Sequence, residues 1–107
     1  MVTSRWRVAD PSPRRRVLVC YDVSSNRRRR RVAGVLEDLG ERVQESVFLC
    51  ELRRRERRDL RHRLREWIDP RTDSLLMVDL GPARRSIEDQ IMPLGRALQR
   101  PVRVLVI

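Results

Sequence analysis

The sequence predicts an α+β fold in which one antiparallel sheet carries two helices, with the elements in the order βαββαβ. Three observations predict it. Short runs rich in β-branched and aromatic residues alternate with two stretches of helical periodicity. Turn-forming Ser, Asn, Gly and Pro fall between them. The apolar runs are far too short to cross a bilayer, and 107 residues suffice for one domain with a modest core.

The first strand is residues 16–21, Arg-Val-Leu-Val-Cys-Tyr, closed by Asp22. Ser24, Ser25 and Asn26 follow, all good helix N-caps. Val32, Val35, Leu36 and Leu39 then recur at i, i+3, i+4 and i+7 and mark one helix face, with Gly40 as its C-terminal stop. Residues 41–44 and 46–51 read as two successive strands. Residues 53–68 form the second helix, with Leu60, Leu64, Trp67 and Ile68 inward, and Asp69-Pro70 ends it. Residues 75–78, Leu-Leu-Met-Val, make the fourth strand, and Gly81-Pro82 breaks the chain. Ile87, Ile91, Leu94 and Leu98 suggest a loose helical stretch interrupted by Pro93. Residues 102–107 form a last apolar strand.

This order is a ferredoxin-like plan with an extra C-terminal strand. It divides the chain into a flexible leader (1–15), the ferredoxin-like domain (16–80) and a C-terminal segment (81–107) ending in an edge strand. In such a plan both helices cover one sheet face, and the other should alternate apolar with polar. The first and fourth strands are instead apolar at nearly every position, so both faces require cover. A second copy of the sheet is the simplest cover, which predicts a homodimer. The final strand would then pair with the partner's sheet edge.

Cys20 and Cys50 each lie inside an apolar run and read as buried thiols; their spacing is no zinc pattern. The N-terminus carries Arg5, Arg7 and Asp10 without a hydrophobic signal segment, so the expected protein is cytoplasmic and makes no membrane contact.

The formal charge is +10, and every one of the 25 basic residues is Arg. A GC-rich genome would favour Arg over Lys, but it does not explain the excess of base over acid, which favours a polyanionic partner. Residues 1–16 carry +4 and residues 52–68 carry +5, while 41–51 and 69–81 each carry −2. Arg27 to Arg31 stand at a helix start, where the helix dipole favours acids, at a cost of about 0.3–1 kcal/mol per exposed charge. Arginines placed against the dipole point to use elsewhere, and guanidinium groups beside helix-start amides suit phosphate oxygens. The candidate nucleic-acid ligands are Arg27, Arg28, Arg30 and Arg31, with Arg14, Arg15 and Arg16 as a second group. With one Phe, one Tyr and two Trp in the chain, backbone contact should dominate over base stacking.

The segment Val17-Leu18-Val19-Cys20-Tyr21-Asp22-Val23, an Arg-rich helix, and Gly40-Glu41-Arg42-Val43-Gln44-Glu45-Ser46-Val47-Phe48 together resemble the CRISPR-associated protein two family. The likeness covers residues 16 to about 80. It implies a ferredoxin-like homodimer that acts in spacer acquisition, bridging dimers of the CRISPR integrase, protein one, and holding the duplex to be integrated. Some members are described as magnesium-dependent endoribonucleases acting on single-stranded RNA, others as acting on double-stranded DNA. The matching Asp of the family binds the divalent metal, which makes Asp22 the candidate catalytic and Mg²⁺-binding residue, shared across the dimer axis. Magnesium asks for oxygen ligands and keeps several waters, so two carboxylates would suffice.

From the residues alone Asp22 has a second reading, as acceptor for the turn at Ser24, Ser25 and Asn26. His62, among arginines, reads as solvated, Asp79 as a turn residue, and Tyr21 as core or dimer contact. A toxin-like ribonuclease or a plain RNA-binding ferredoxin-like module is the alternative function.

Overall fold

A computed structural model describes residues 10–96. Its elements are β1 (Arg15–Asp22), α1 (Asn26–Glu37), β2 (Gly40–Gln44), β3 (Val47–Leu52), α2 (Arg54–Arg65), β4 (Ser74–Pro82) and a short 3-10 turn, Ile87–Asp89. The four strands form one antiparallel sheet in the order β2-β3-β1-β4. This is the expected ferredoxin-like arrangement. The expected strand at residues 102–107 and the first nine residues of the leader lie outside the described residues.

Alternation along β1 decides the layering. Val17, Val19 and Tyr21 point to the helices, where they meet Val32, Val35 and Leu36 of α1 and Leu60 and Leu64 of α2 in one core. Phe48, Cys50 and Leu52 of β3 complete it, and the rings of Tyr21 and Phe48 stack with centroids 6.3 Å apart. Tyr21 is therefore a core residue. Each fully buried Leu here contributes about 1.5–3 kcal/mol. Both cysteines are free thiols; Cys50 is buried and its pKa is pushed up to about 12, by desolvation first and by Glu41 second. Cys20, on the other face, is only half-buried.

That other face is only partly covered. Leu76 and Val78 are 59% and 40% exposed, aligned with Cys20 and Leu18 of β1. At the opposite end Arg16 is buried at 4% exposure, and the chain after β4 folds back over it. Its guanidinium donates to Glu51 Oε2 (2.9 Å), the Ala83 carbonyl (2.9 Å), the Arg85 carbonyl (2.6 Å) and Gln90 Oε1 (2.9 Å).

Four local expectations change. The first helix ends at Glu37 without glycine help, and Gly40 instead opens β2. A Cβ there would stand 2.5 Å from Cys50 Sγ and 2.6 Å from the Leu49 carbonyl oxygen, so Gly40 permits close strand approach. Gly81-Pro82 does not break β4. Gly81, at φ 98°, sits where the β1–β4 register shifts by one residue, a bulge that lets the edge strand continue to Pro82. The second helix stops at Arg65, short of residue 68. As far as residue 96 the stretch after β4 contains only the 3-10 turn, with Ile87 buried and Met92 and Leu94 exposed; Leu98 lies outside the described residues.

The end of the leader is tied down. Asp10 accepts from the backbone N–H of Arg55 (2.7 Å) and of Ser12 (2.9 Å), and Ser12 Oγ accepts from the Arg54 N–H (2.9 Å). Two free amides at the start of α2 are satisfied this way. The bond from Arg55 and those from Ser12 lower the Asp10 pKa to about 2.

Candidate nucleic-acid interface

β1 ends at Asp22, and three residues later Ser25 caps α1, its hydroxyl accepting from the Arg28 N–H at 3.2 Å. The five arginines that open α1 divide by where their side chains go. Arg27, Arg30 and Arg31 are exposed. Arg28 Nη2 donates to Asp73 at 2.8 Å, and Arg29 Nη1 donates to the Val23 carbonyl at 2.7 Å. Of the four α1 ligands expected from sequence, Arg28 is thus committed to an internal ion pair, while the other three face solvent.

Arg27 and Arg31 also lie over the ring of Trp67, 5.8 Å and 5.0 Å from its centroid. Stacking of this kind positions a guanidinium while leaving its N–H edge free to donate. Sequence reasoning found no aromatic platform; Trp67 serves arginines rather than bases, and its half-buried position on the core edge explains the difference.

The partner of Arg28 is a residue the sequence did not single out. The Asp73 side chain is fully buried. It accepts from the Ser24 N–H (3.0 Å) and hydroxyl (3.1 Å), the Asp69 N–H (2.8 Å), the Thr72 hydroxyl (3.1 Å) and Arg28. Burial alone would raise its pKa, but the N–H donors of Asp69 and Ser24 and then Arg28 outweigh it, so the carboxyl lies well below the usual range. Asp73 therefore supplies the acceptor for the turn after β1. Asp22 does not: it is exposed, and no hydrogen bond to it is found among the described residues.

The second arginine group lies at the other end of β1. Here only Arg14 is exposed. Arg15 Nε donates to both oxygens of Asp79, at 3.1 and 2.9 Å. The Gly81 N–H first and Arg15 second lower the Asp79 pKa. Arg16, expected to bind nucleic acid, is withdrawn from any ligand by its four internal acceptors. In its place Arg84 and Arg85 are exposed on the loop after β4, next to Arg14, whose carbonyl accepts from the Ala83 N–H at 3.0 Å. The +3 charge of residues 82–107 was the signal for them, but nothing in the sequence put that loop beside residue 14.

No group of three or more His, Cys, Asp or Glu side chains converges among the described residues. One chain offers Asp22 as a single free carboxylate, which fits a hydrated magnesium ion only if a second copy supplies another oxygen ligand. His62 is exposed, as expected. No helix among the described residues is long and apolar enough to cross a membrane.

A family model described as "CRISPR associated protein Cas2" matches residues 15–86. A Moorella thermoacetica protein named CRISPR-associated endoribonuclease Cas2 1 is 40% identical over 79 residues, covering 68% of this chain and 82% of the relative. A Chloroflexus aurantiacus protein named CRISPR-associated endoribonuclease Cas2 3 is 36% identical over 91 residues, covering 83% and 95%. The crystal structure of Streptococcus pyogenes Cas2 superposes with a TM-score of 0.67 at 39% identity, over 75% of this chain and 99% of that one.

Proposed function

Because the chain belongs to the CRISPR-associated Cas2 family, we propose that it is a nucleic-acid-binding homodimer of CRISPR adaptation with metal-dependent endoribonuclease activity. The observation that carries this reading is a free, exposed carboxylate, Asp22, at the end of a rigid strand and directly before a helix that opens with exposed Arg27, Arg30 and Arg31. The named activity of the relatives supports the choice of RNA as substrate.

Two copies closing the open sheet face would bury Leu76 and Val78 and bring both Asp22 residues, which share that face, toward one axis. A magnesium ion held there by two carboxylates and waters would stabilise charge on a scissile phosphate and acidify a bound water. The chain's own part is to fix the carboxylate and bind the backbone. Asp73 anchors the turn after Asp22, and the Trp67-stacked arginines hold phosphates on either side of the bond to be cut. The family supplies the further partner, the integrase. β4 is a sheet edge with one unpaired side among the described residues, which is where an added strand would dock.

The test is cleavage of a labelled single-stranded RNA in magnesium. The wild type should cleave and EDTA should abolish it. Asp22→Asn should lose cleavage by at least ~100-fold, since even residues that only support a metal ligand are worth ~10–100-fold, with binding retained. Cleavage that survives Asp22→Asn at the wild-type rate would sink the assignment.

A further inference from the structure

The most basic segment of the chain is not the one that opens α1 but α2, and the site described above makes no use of it. Arg54, Arg58, Arg61 and Arg65 are all exposed. At i, i+4, i+7 and i+11 they fall on one line along the helix, spanning about 16 Å at 1.5 Å per residue. The acids of α2 stand off that line. Glu56 is buried and accepts from the Arg53 N–H at 2.8 Å, while Asp59 is partly buried and on another face. Asp10 lies close to Arg54 alone. Arg58, Arg61 and Arg65 take part in no ion pair among the described residues. Arg57, Arg61 and Arg65 also line one cleft with Asp73 and Asp79, carboxylates already engaged by Arg28 and Arg15, while Arg57 Nη1 donates to the Leu52 carbonyl.

Like charges one turn apart destabilise a helix by about 0.2–0.5 kcal/mol per pair. Two such steps, Arg58 to Arg61 and Arg61 to Arg65, with no ion pair among the described residues are a local conflict that folding does not explain. The line also ends beside the site already described, since Arg65 is two residues before Trp67, the ring that carries Arg27 and Arg31. It lies on the helix side of the sheet, away from Leu76 and Val78, so closing the open face leaves it free.

We propose that the outer face of α2, Arg58, Arg61 and Arg65 with Arg54 at its foot, is a second nucleic-acid surface that tracks the phosphates of one strand of a duplex. A regularly spaced row of charges matches a regular phosphate array, and 16 Å meets about three successive phosphates of one strand, which stand ~6–7 Å apart along the backbone. Among the described residues no unoccupied aromatic ring accompanies the row, which argues against a single strand held by stacking. The inference rests on the nucleic-acid-binding reading above and adds to it a location.

The experiment is binding of a labelled 30-base-pair DNA of mixed sequence as salt is raised, for wild type, Arg58→Gln/Arg61→Gln/Arg65→Gln and Arg58→Lys/Arg61→Lys/Arg65→Lys. Three lost phosphate contacts should reduce the slope of log K against log salt by about 2.7, and the Lys variant should restore it. Circular dichroism checks that each variant is folded. A wild type without salt-dependent binding defeats the underlying nucleic-acid reading. A wild-type slope that the Gln variant leaves unchanged overturns the α2 surface alone. An equally large loss on a single-stranded 30-mer overturns the duplex assignment.

Discussion

Replacing Arg16 by Met tests whether a basic residue that the sequence assigns to ligand belongs to the fold. The side chain is 5% exposed, and its guanidinium serves Glu51, Gln90 and the carbonyls of Ala83 and Arg85. Glu51 is 41% exposed, so it rehydrates when the arginine is removed, and the lost ion pair costs under ~1 kcal/mol. The three neutral acceptors are part-buried and lose about 1 kcal/mol each. Arg16 Nε has no partner, and removing that buried donor returns about 1 kcal/mol. The net loss is then about 2–3 kcal/mol, or roughly 10–20 °C in Tm for a domain of this size. Urea unfolding at fixed protein concentration measures it, with an unchanged m-value showing that the unfolded reference has not moved. Met fills a comparable volume, so the figure reports hydrogen bonds rather than a cavity. A loss below ~0.5 kcal/mol, or a fall of about 0.9 in the salt slope of nucleic-acid binding, would return Arg16 to the ligand surface.

Two further outcomes follow from the same structure. Leu76→Asp puts a charge on the open sheet face and should convert a dimer to a monomer in sedimentation, with the helical signal intact; a dimer that persists would remove that face from the interface. The depressed pKa values of Asp10 and Asp73, with those of Asp69 and Asp79, shape the acid limb of stability. A carboxyl held below its unfolded pKa of about 3.9 stabilises fully above that value, and the gain is lost as pH falls through the folded pKa. Tm should hold to about pH 5 and fall below pH 4, with the fall shallower in Asp10→Asn; an identical acid limb in that variant would show that Asp10 is no clamp.

The architecture was legible because each element announces itself locally. The periodicity of Val32, Val35 and Leu36, the N-cap at Ser25 and the apolar run of β1 need no knowledge of distant residues. Errors arose where a local rule met a tertiary need. Gly40 was read as a helix stop because glycine commonly plays that part, yet the reason for it is the sulfur of Cys50 on the neighbouring strand. Gly81-Pro82 read as a break because the bulge against Arg16 belongs to a strand 65 residues away. Within the site, a count of arginines located the charge but not its destinations. Arg28 and Arg16 find acceptors 45 and up to 74 residues along the chain, and Asp73 ties its own turn at Asp69 and Thr72 to Ser24 and Arg28, which are 49 and 45 residues away. Asp22 was visible because a carboxylate at a strand end is a local fact, and its freedom emerged only when Asp73 was seen to take the turn.

The eight residues of β1 hold Arg14 with Arg84 and Arg85 at one end, and Arg27, Arg30 and Arg31 beyond the other. A strand of that length separates them by about 23 Å, or about seven base pairs of duplex. On the nucleic-acid-binding reading proposed above, the protomer would act as a ruler. Fragments shorter than this would engage one end and gain nothing from the second, while longer ones would be chelated, so affinity against fragment length should show a threshold rather than a ramp. A protein without base readout would in this way still select its ligands, by size.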